Sequence, residues 1–401
     1  MKQTLFIIAV AAAFSAAAAD SLNVRLVGTY TLPAAFPIDV AVVDSFAYVA
    51  AAHAGLRIVS IADPQNPAEV GSFNGMANAL GVVVKDSIAY VAGHAGGVFL
   101  VNVADPHNPT LVGQRSTPAA ASRVAVKDTF LYVADRDAGL RVLSVANPAN
   151  PYEVGFCDTL AFYEDVAVAD TIACVSAGLA NLFLTINVAS PASPTLAGYL
   201  ALPSNGQGLA VSGSYAYVTA GDMLIIDVSD PAHPREVGRY VSPSFAADVG
   251  VEGDVAYVAD GYAGLRVVDV SDPQQPREIG YYDTPGYNNG IALAGEYICV
   301  TEDPVGMRVF QFLGAGIEEE RSTPDASRIA PGATVVRGVL MLPQATGDKR
   351  QVTSRMLDIT GRKVLDLQPG PNDVSRLAPG VYFLSPGSRS RRTATRLVLT
   401  R

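Results

Sequence analysis

The side chains of this 401-residue chain that could do chemistry fall in short loops between apolar runs. One loop set supplies His53, His94, Asp135, Asp137, Asp222, Asp260, Tyr262, Glu302 and Asp303; a second supplies Glu164, Asp165, Asp248, Asp283, Tyr287, Asn288 and Asn289. Carboxylates with one or two imidazoles are the donors of a divalent-cation site, and a hard cation asks for about six to eight oxygens. Here the acids come singly, with no Asp-x-Asp-x-Asp loop, and Asp135-Arg136-Asp137 contains its own counter-ion. The competing reading is that they solvate exposed loops and pair locally, Asp135 with Arg141 and Asp260 with Arg266. His53 and His94 occupy corresponding places in consecutive units on this reading, so zinc held by both with one acid is the other metal arrangement allowed. Catalysis by such a pair needs a nucleophile or an opposed carboxylate at roughly 5–9 Å. The chain has no Gly-x-Ser-x-Gly, His-Glu-x-x-His or phosphate-loop motif to supply one.

What must position these loops is a repeat. A unit of about 42 residues recurs seven times, marked by Gly28, Gly71, Gly113, Gly155, Gly198, Gly238 and Gly280 at steps of 43, 42, 42, 43, 40 and 42. Each unit holds four short runs rich in Val, Ile, Tyr and Phe, such as Gly81–Val84, Ile88–Ala92, Val98–Val103 and Thr110–Gly113. That composition favours strands, and no run reaches helical length. The first turn is a tight Asp- or Gly-containing hairpin, such as Lys85-Asp86-Ser87, and the second carries Ala-Gly, such as Ala263-Gly264. The third is Asp/Asn/Ser-Pro-x-x-Pro, as in Asp63–Pro67 and Asp272–Pro276, where two prolines remove two donors and stop the strand.

Four antiparallel strands with both faces apolar cannot bury themselves alone, whereas seven such sheets packed radially can. The expectation is an all-β fold: a seven-bladed β-propeller over residues 20–313. The seventh unit lacks its fourth strand, and residues 23–30 have the form of one with no first three before it, so they are expected to close the last blade. Cys174 and Cys299 replace the tyrosine of the other second strands and Cys157 lies in a fourth strand; three cysteines make no disulfide framework.

The runs Gly55–Ile61, Gly139–Val145 and Gly264–Val270, each followed by x-Asp/Asn-Pro, resemble the LVIVD repeat family. That resemblance covers about residues 24–313 and implies a propeller in a secreted or surface protein. It implies no shared catalytic motif.

The ends differ from the body. Residues 1–19 read as a signal peptide, with Lys2, the apolar Leu5–Phe14 and Ala17-Ala18-Ala19 before Asp20. No other segment reads as a membrane span. Residues 314–333 read as a linker. Residues 334–401 carry twelve Lys/Arg against four Asp/Glu, a net of +8, so with −10 overall the rest carries −18. This tail, expected to be a small β-sandwich, resembles the C-terminal sorting domain of type IX secretion substrates. The matching positions are Asp358, Gly361, Arg362, Pro379, Gly380, Tyr382 and the terminal Arg401. Arg328-Ile-Ala-Pro-Gly stands where such tails usually open with a Tyr-Pro-Asn-Pro-like segment. The resemblance implies export through the periplasm of a Gram-negative bacterium to the outer-membrane surface or beyond, with the type IX machinery as partner.

The functional expectation is an exported, monomeric, non-enzymatic scaffold that offers a protein or glycan the face holding His53, His94, Asp135, Asp137, Phe162, Tyr163, Asp165, Asp248, Asp260, Tyr287 and Asp303. No cofactor is expected, with a structural divalent cation the one alternative. The competing function is a secreted polysaccharide hydrolase or lyase with its site on that face. An acidic body without Trp argues against nucleic acid. Limited proteolysis of the mature chain should cut first within 314–332 and leave a stable body; loss of the body's cooperative unfolding on deleting 334–401 would contradict a separate tail.

Overall fold

The computed structural model describes residues 21–32, 35–159 and 161–314, together with seven strands between positions 334 and 399. The signal segment 1–19, positions 315–333 of the linker, and Asp358, Gly361, Arg362, Pro379 and Arg401 lie outside the described residues.

Seven four-stranded antiparallel sheets form the body. Blade 1 is built from Asp39–Val43, Phe46–Ala50, Leu56–Ser60 and Ala68–Phe73. Blades 2 to 6 repeat the pattern, their innermost strands being Gly81–Lys85, Arg123–Lys127, Tyr163–Ala169, Leu209–Ser212 and Asp248–Glu252. Blade 7 takes Tyr287–Ala294, Tyr297–Asp303 and Gly306–Phe312 from the end of the domain and Val24–Thr31 from its start. The closing strand runs antiparallel from Val24 opposite Phe312 to Thr31 opposite Gly306, which is the closure expected from the missing strand.

The core is seven apolar seams, one between each pair of neighbouring blades. Tyr48 and Ile58 of blade 1 meet Val82, Val91 and Phe99 of blade 2. Val49 and Val59, one residue along in each strand, face the other way and meet Tyr30 and Val309 of blade 7. Period-two alternation thus feeds both neighbours of every blade. Cys174 lies in the blade 4–5 seam and Cys299 in the blade 7–1 seam, and burial pushes both thiols up to about 12.

The marker glycines have a steric cause. Each sits at a bulge in a fourth strand, where the register shifts against the third. A Cβ on Gly71 would lie 2.0 Å from the carbonyl oxygen of Pro106, on Gly113 2.1 Å from that of Pro148, and on Gly238 1.9 Å from that of Pro273. The Pro-x-x-Pro turn of one blade therefore docks on the bulge of the blade before it. Glycine and proline turn recur together because they touch. Gly280 of blade 6 faces a blade without that turn, and the N-terminal residues stand in for it. Ser21–Leu22 adds a fifth strand to blade 6, opposite Tyr282 and Tyr281, and the Asn23 side-chain amide donates to the Ile279 carbonyl at 2.7 Å.

The second compact unit spans Glu320–Arg401. Its described strands pair antiparallel in two sheets, and Gly380 and Tyr382 lie in Gly380–Pro386, between Ser354–Leu357 and Thr395–Leu399.

Gly113→Ala forces a Cβ into a backbone carbonyl that cannot swing aside. Overpacking of this kind costs about 1–3 kcal/mol, and a lowered denaturation midpoint with an unchanged m-value is expected. Native protein should also leave its buried thiols at Cys174 and Cys299 unmodified by a thiol reagent until denaturant is added.

Candidate functional site

The innermost strands share a register around the axis, and two rings of side chains follow from it. One register position is filled, from blade 1 to blade 7, by Asp39, Gly81, Arg123, Asp165, Gly208, Asp248 and Gly290, as fixed by the pairing of the next residue with the second strand. The residue before it is Ile38, Leu80, Ser122, Glu164, Gln207, Ala247 and Asn289. All seven of this upper ring line one cavity of 270 Å³ at the axial mouth, with Arg123 and Asp165 below and Arg136 and Asn205 at its side.

The lower ring is a set of clasps. Asp39 accepts the N–H of Val40 in its own strand at 2.9 Å and that of Val82 in the next blade at 2.8 Å. Asp165 does the same with Val166 at 2.7 Å and Leu209 at 2.9 Å, and Asp248 with Val249 at 2.8 Å and Ile291 at 3.0 Å. Glycine makes room for the charged residue that follows it. A Cβ on Gly208 would meet the Asp248 carboxylate at 2.3 Å, one on Gly290 the Asp39 Cα at 2.8 Å, and one on Gly81 the Arg123 side chain at 3.0 Å.

Arg123 neutralises the ring. Its Nε lies 3.8 Å from an Asp39 oxygen, and it donates to the Leu80 carbonyl. Burial works against its charge, but the fields of Asp39, Asp165, Asp248 and Glu164 outweigh that and raise its pKa. Burial pushes Asp165 up to about 7 despite Arg123, with the charge of Asp39 adding to the rise. Asp248 is pushed up too, by burial first and by Asp39 next.

The expected site residues therefore separate. Asp165 and Asp248 are blade clasps. Asp135 and Asp260 are fully buried and hold incoming loops. Asp135 accepts from the Thr117 hydroxyl at 2.6 Å and the Ala119 N–H at 3.0 Å, and Asp260 accepts from Ser242. Glu302 does the same in blade 7, taking the Gly286 N–H at 2.8 Å. Burial raises the pKa of both Asp135 and Asp260. Arg266 lies 3.9 Å from Asp260 as expected, but makes its closer pair with Asp283 at 2.6 Å, and Arg141 reaches Glu153 at 3.7 Å rather than pairing with Asp135. Arg57 pairs with Glu69 at 3.3 Å. These recurring arginines thus brace their own blades.

Two expectations are corrected. His53 and His94 do not occupy corresponding places. His94 matches Ala52 and Arg136: all three have positive φ (52°, 42° and 39°), and each bridges to the loop of the next blade, at Ala121, Ala79 and Tyr163. His53 is one residue out of that register and packs edge-on against Phe36, ring centroids 6.0 Å apart, while His94 Nε2 lies 3.3 Å from Arg136. Tyr163 is no contact residue either; it is fully buried, its hydroxyl 2.7 Å from that of Thr159. Phe162 is half-buried beneath the Arg136 guanidinium, 5.1 Å from the ring centre, and Tyr287 meets Tyr262 edge-on at 5.0 Å. Asp137 is exposed beside Phe162 and Leu179, and Asp303 is half-buried. Among the described residues no group of three or more His, Cys, Asp or Glu is placed to hold a metal ion, and no helix is long and apolar enough to cross a membrane.

Sequence reasoning missed Asp39, Arg123 and the exposure of Glu164 to the cavity. The signal was available for the first two: Asp/Gly/Arg before a Val, Leu or Ile recurs at one offset in every unit. Glu164 reaches the mouth because the first strand of blade 4 bulges there, between Tyr163 and Asp165.

Seven antiparallel blades around a polar axial mouth define a β-propeller repeat protein. Five of its blades are LVIVD repeats: that family matches residues 38–75, 77–117, 118–159, 204–242 and 245–284. The unmatched stretches hold blade 4, with its altered second turn, and blade 7, which is split between the ends of the domain. Among solved structures, the WD40 β-propeller domain of Doa1 is similar at a TM-score of 0.59 and 12% identity, covering 72% of this chain and 97% of that one. The computationally designed Ika8 protein is similar at a TM-score of 0.53 and 11% identity, covering 94% and 100%. At such identities the likeness is one of fold. No curated protein matches the chain.

The two raised carboxyls set a pH dependence. Asp165 and Asp248 hold protons in the folded state at pH values where an unfolded aspartate, near 3.9, does not. Their contribution to stability is complete below that value and is lost as pH rises through about 7 for Asp165 and beyond for Asp248. The melting temperature should therefore fall between pH 5.5 and pH 8.5; a flat or rising profile over that interval would show that both remain ionised throughout.

Proposed function

We propose that this protein is an exported, non-enzymatic binding propeller that presents its axial loop face to a partner at the cell surface or outside the cell. One observation carries this reading. At a single backbone position the seven blades place seven different environments, from Ile38 and Leu80 through Ser122 and Gln207 to Glu164, around one open cavity. The ring beneath, by contrast, is committed to holding blades together. Ser122 and Asn289 also brace neighbouring blades, but Ile38, Glu164 and Gln207 are partly exposed to the cavity, and varied positions that solvent reaches are where a binding surface is written.

The competing hydrolase or lyase reading needs two working carboxylates or a His–acid pair in one pocket, and the described lining of this cavity includes no His. Glu164 and Asp165 both line the cavity, but the Asp165 oxygens each accept a backbone N–H. That favours a carboxylate engaged in structure and leaves Glu164 to act without a partner. Export rests on the N-terminal segment and on the tail, whose Asp-x-x-Gly-Arg and Leu-x-Pro-Gly-Val-Tyr-Phe blocks support a type IX sorting domain folded as a small sandwich.

Two measurements test this. Deleting 334–401 should leave the protein in the periplasm of a host with a type IX system while the full chain reaches the surface. Full-length protein immobilised and exposed to envelope extract should retain a component that Glu164→Ala with Asn289→Ala releases and that His107→Ala with His233→Ala, on the opposite face, does not. Release of reducing ends from polysaccharide above a Glu164→Ala control would contradict the non-enzymatic assignment.

A further inference from the structure

We infer that the axial cavity is a subsite for one neutral sugar ring of a glycan, with the Glu164 carboxylate accepting from ring hydroxyls, the Arg136 guanidinium and the Asn289 side-chain oxygen, whose amide nitrogen donates to the Pro37 carbonyl, supplying further polar partners, and neighbouring sugars lying on the rim aromatics. This deepens the binding reading above and rests on it.

Size comes first. A cavity of 270 Å³ has the volume of about nine waters in the liquid. That suits a pyranose ring with a few retained waters.

Charge comes second. The lining sets two guanidiniums, Arg123 and Arg136, against two carboxyls, Glu164 and Asp165. Arg123 is already balanced by the aspartates of the ring below, which leaves Arg136 against Glu164 and no sign in excess despite the acidic body. A hydroxyl both donates and accepts, and a ring bearing several satisfies a wall that mixes carboxylate, guanidinium and amide groups.

The state of Glu164 comes third. It lines the cavity half-buried, and no side-chain hydrogen bond ties it among the described residues. Burial raises its pKa, and Arg136 and Arg123 pull it back, so its carboxylate sits in a partly dry place with charge neighbours but no donor. A pair of hydroxyls is the missing complement.

The rim comes fourth. Phe36 is 55% exposed and Tyr262 72% exposed, each meeting its neighbour, His53 or Tyr287, edge-on. Exposed aromatic rings of this kind can stack on the C–H side of a sugar. These platforms lie in blades 6 and 1 and the loops beside them, on the face that holds the mouth.

The test uses the full mature chain, a glycan microarray, and saturation-transfer NMR with the methyl glycosides of glucose, galactose, mannose and N-acetylglucosamine. At least one glycan should bind. Glu164→Gln, with its melting temperature unchanged, should weaken that binding about tenfold, the scale of one hydrogen bond to a charged group, while His233→Ala leaves it intact. Raising salt from about 50 to about 500 mM should barely change the affinity, since the ligand is neutral. Binding that Glu164→Gln leaves untouched, or that salt abolishes, overturns the proposal. So does the absence of any glycan signal. If in that case the mouth variants still release an envelope protein, the sugar inference falls and the binding propeller stands; if they release nothing, both fall.

Discussion

The propeller turns on an arithmetic constraint at its axis. Inner strands that crowd around an axis pack well when large and small residues alternate, and seven is odd. The ring reads Asp39, Gly81, Arg123, Asp165, Gly208, Asp248, Gly290, so glycine separates the large residues everywhere except between blades 3 and 4. The one pair of large neighbours, Arg123 and Asp165, is of opposite sign. Three aspartates thereby reach across to the N–H groups of the following blade without accumulating three uncompensated charges in a dry channel. Blade-to-blade spacing at the axis depends on this ring, and at the rim it depends on the glycine bulge that receives the next proline turn.

Those two fastenings explain why function is confined to the loops between them. The lower ring and the proline turns each contact a neighbouring blade through backbone atoms, so their residue types are fixed by the repeat. In the upper ring Ser122 Oγ lies 3.0 and 2.8 Å from the Tyr163 and Glu164 carbonyl oxygens of the next blade and the Asn289 amide donates to the Pro37 carbonyl at 3.1 Å, while Ile38, Glu164 and Gln207 are partly exposed to the cavity. Acids that seem equally exposed in sequence therefore divide by one residue of register: Asp165 belongs to the scaffold and Glu164 to the mouth.

Much of the fold was legible in the sequence because its causes are local. The prolines, the hairpin turns and the seven marker glycines each act within one repeat, and the absent fourth strand of unit seven is a local deficit with one supply, residues 24–31. The fifth strand at Ser21–Leu22 was not legible, since two residues carry no pattern. The site was less legible than the fold. Asp135 and Asp260 sit in turns that read as exposed, but each folds inward to hold a loop arriving from the previous blade. Tyr163 reads as a loop aromatic, but the strand of blade 4 begins there and carries it into the blade 3–4 seam. His53 and His94 looked equivalent because both precede an alanine; the Ala54-Gly55 and Gly96-Gly97 turns, counted back, show the offset of one. In each case the deciding contact is with a neighbouring loop or blade, for Asp135 and Asp260 eighteen residues away in sequence, which periodicity alone does not weigh.

The account depends most on Arg123 acting as the counter-charge of the axial ring. Arg123→Met keeps the stem and removes the charge, and its unfolding free energy measured at pH 8.5 and at pH 5.5 tests this directly. Breaking a buried ion pair costs about 3–5 kcal/mol, and a loss of that order is predicted at pH 8.5, where the unpaired aspartates must either stay charged or take up protons from a dilute supply. At pH 5.5, below the raised values of Asp165 and Asp248, the loss should be smaller, the broken contact to Asp39 accounting for what remains. An equal loss at both pH values, or none at either, would contradict the account, because Arg123 would then be filling space and not balancing charge.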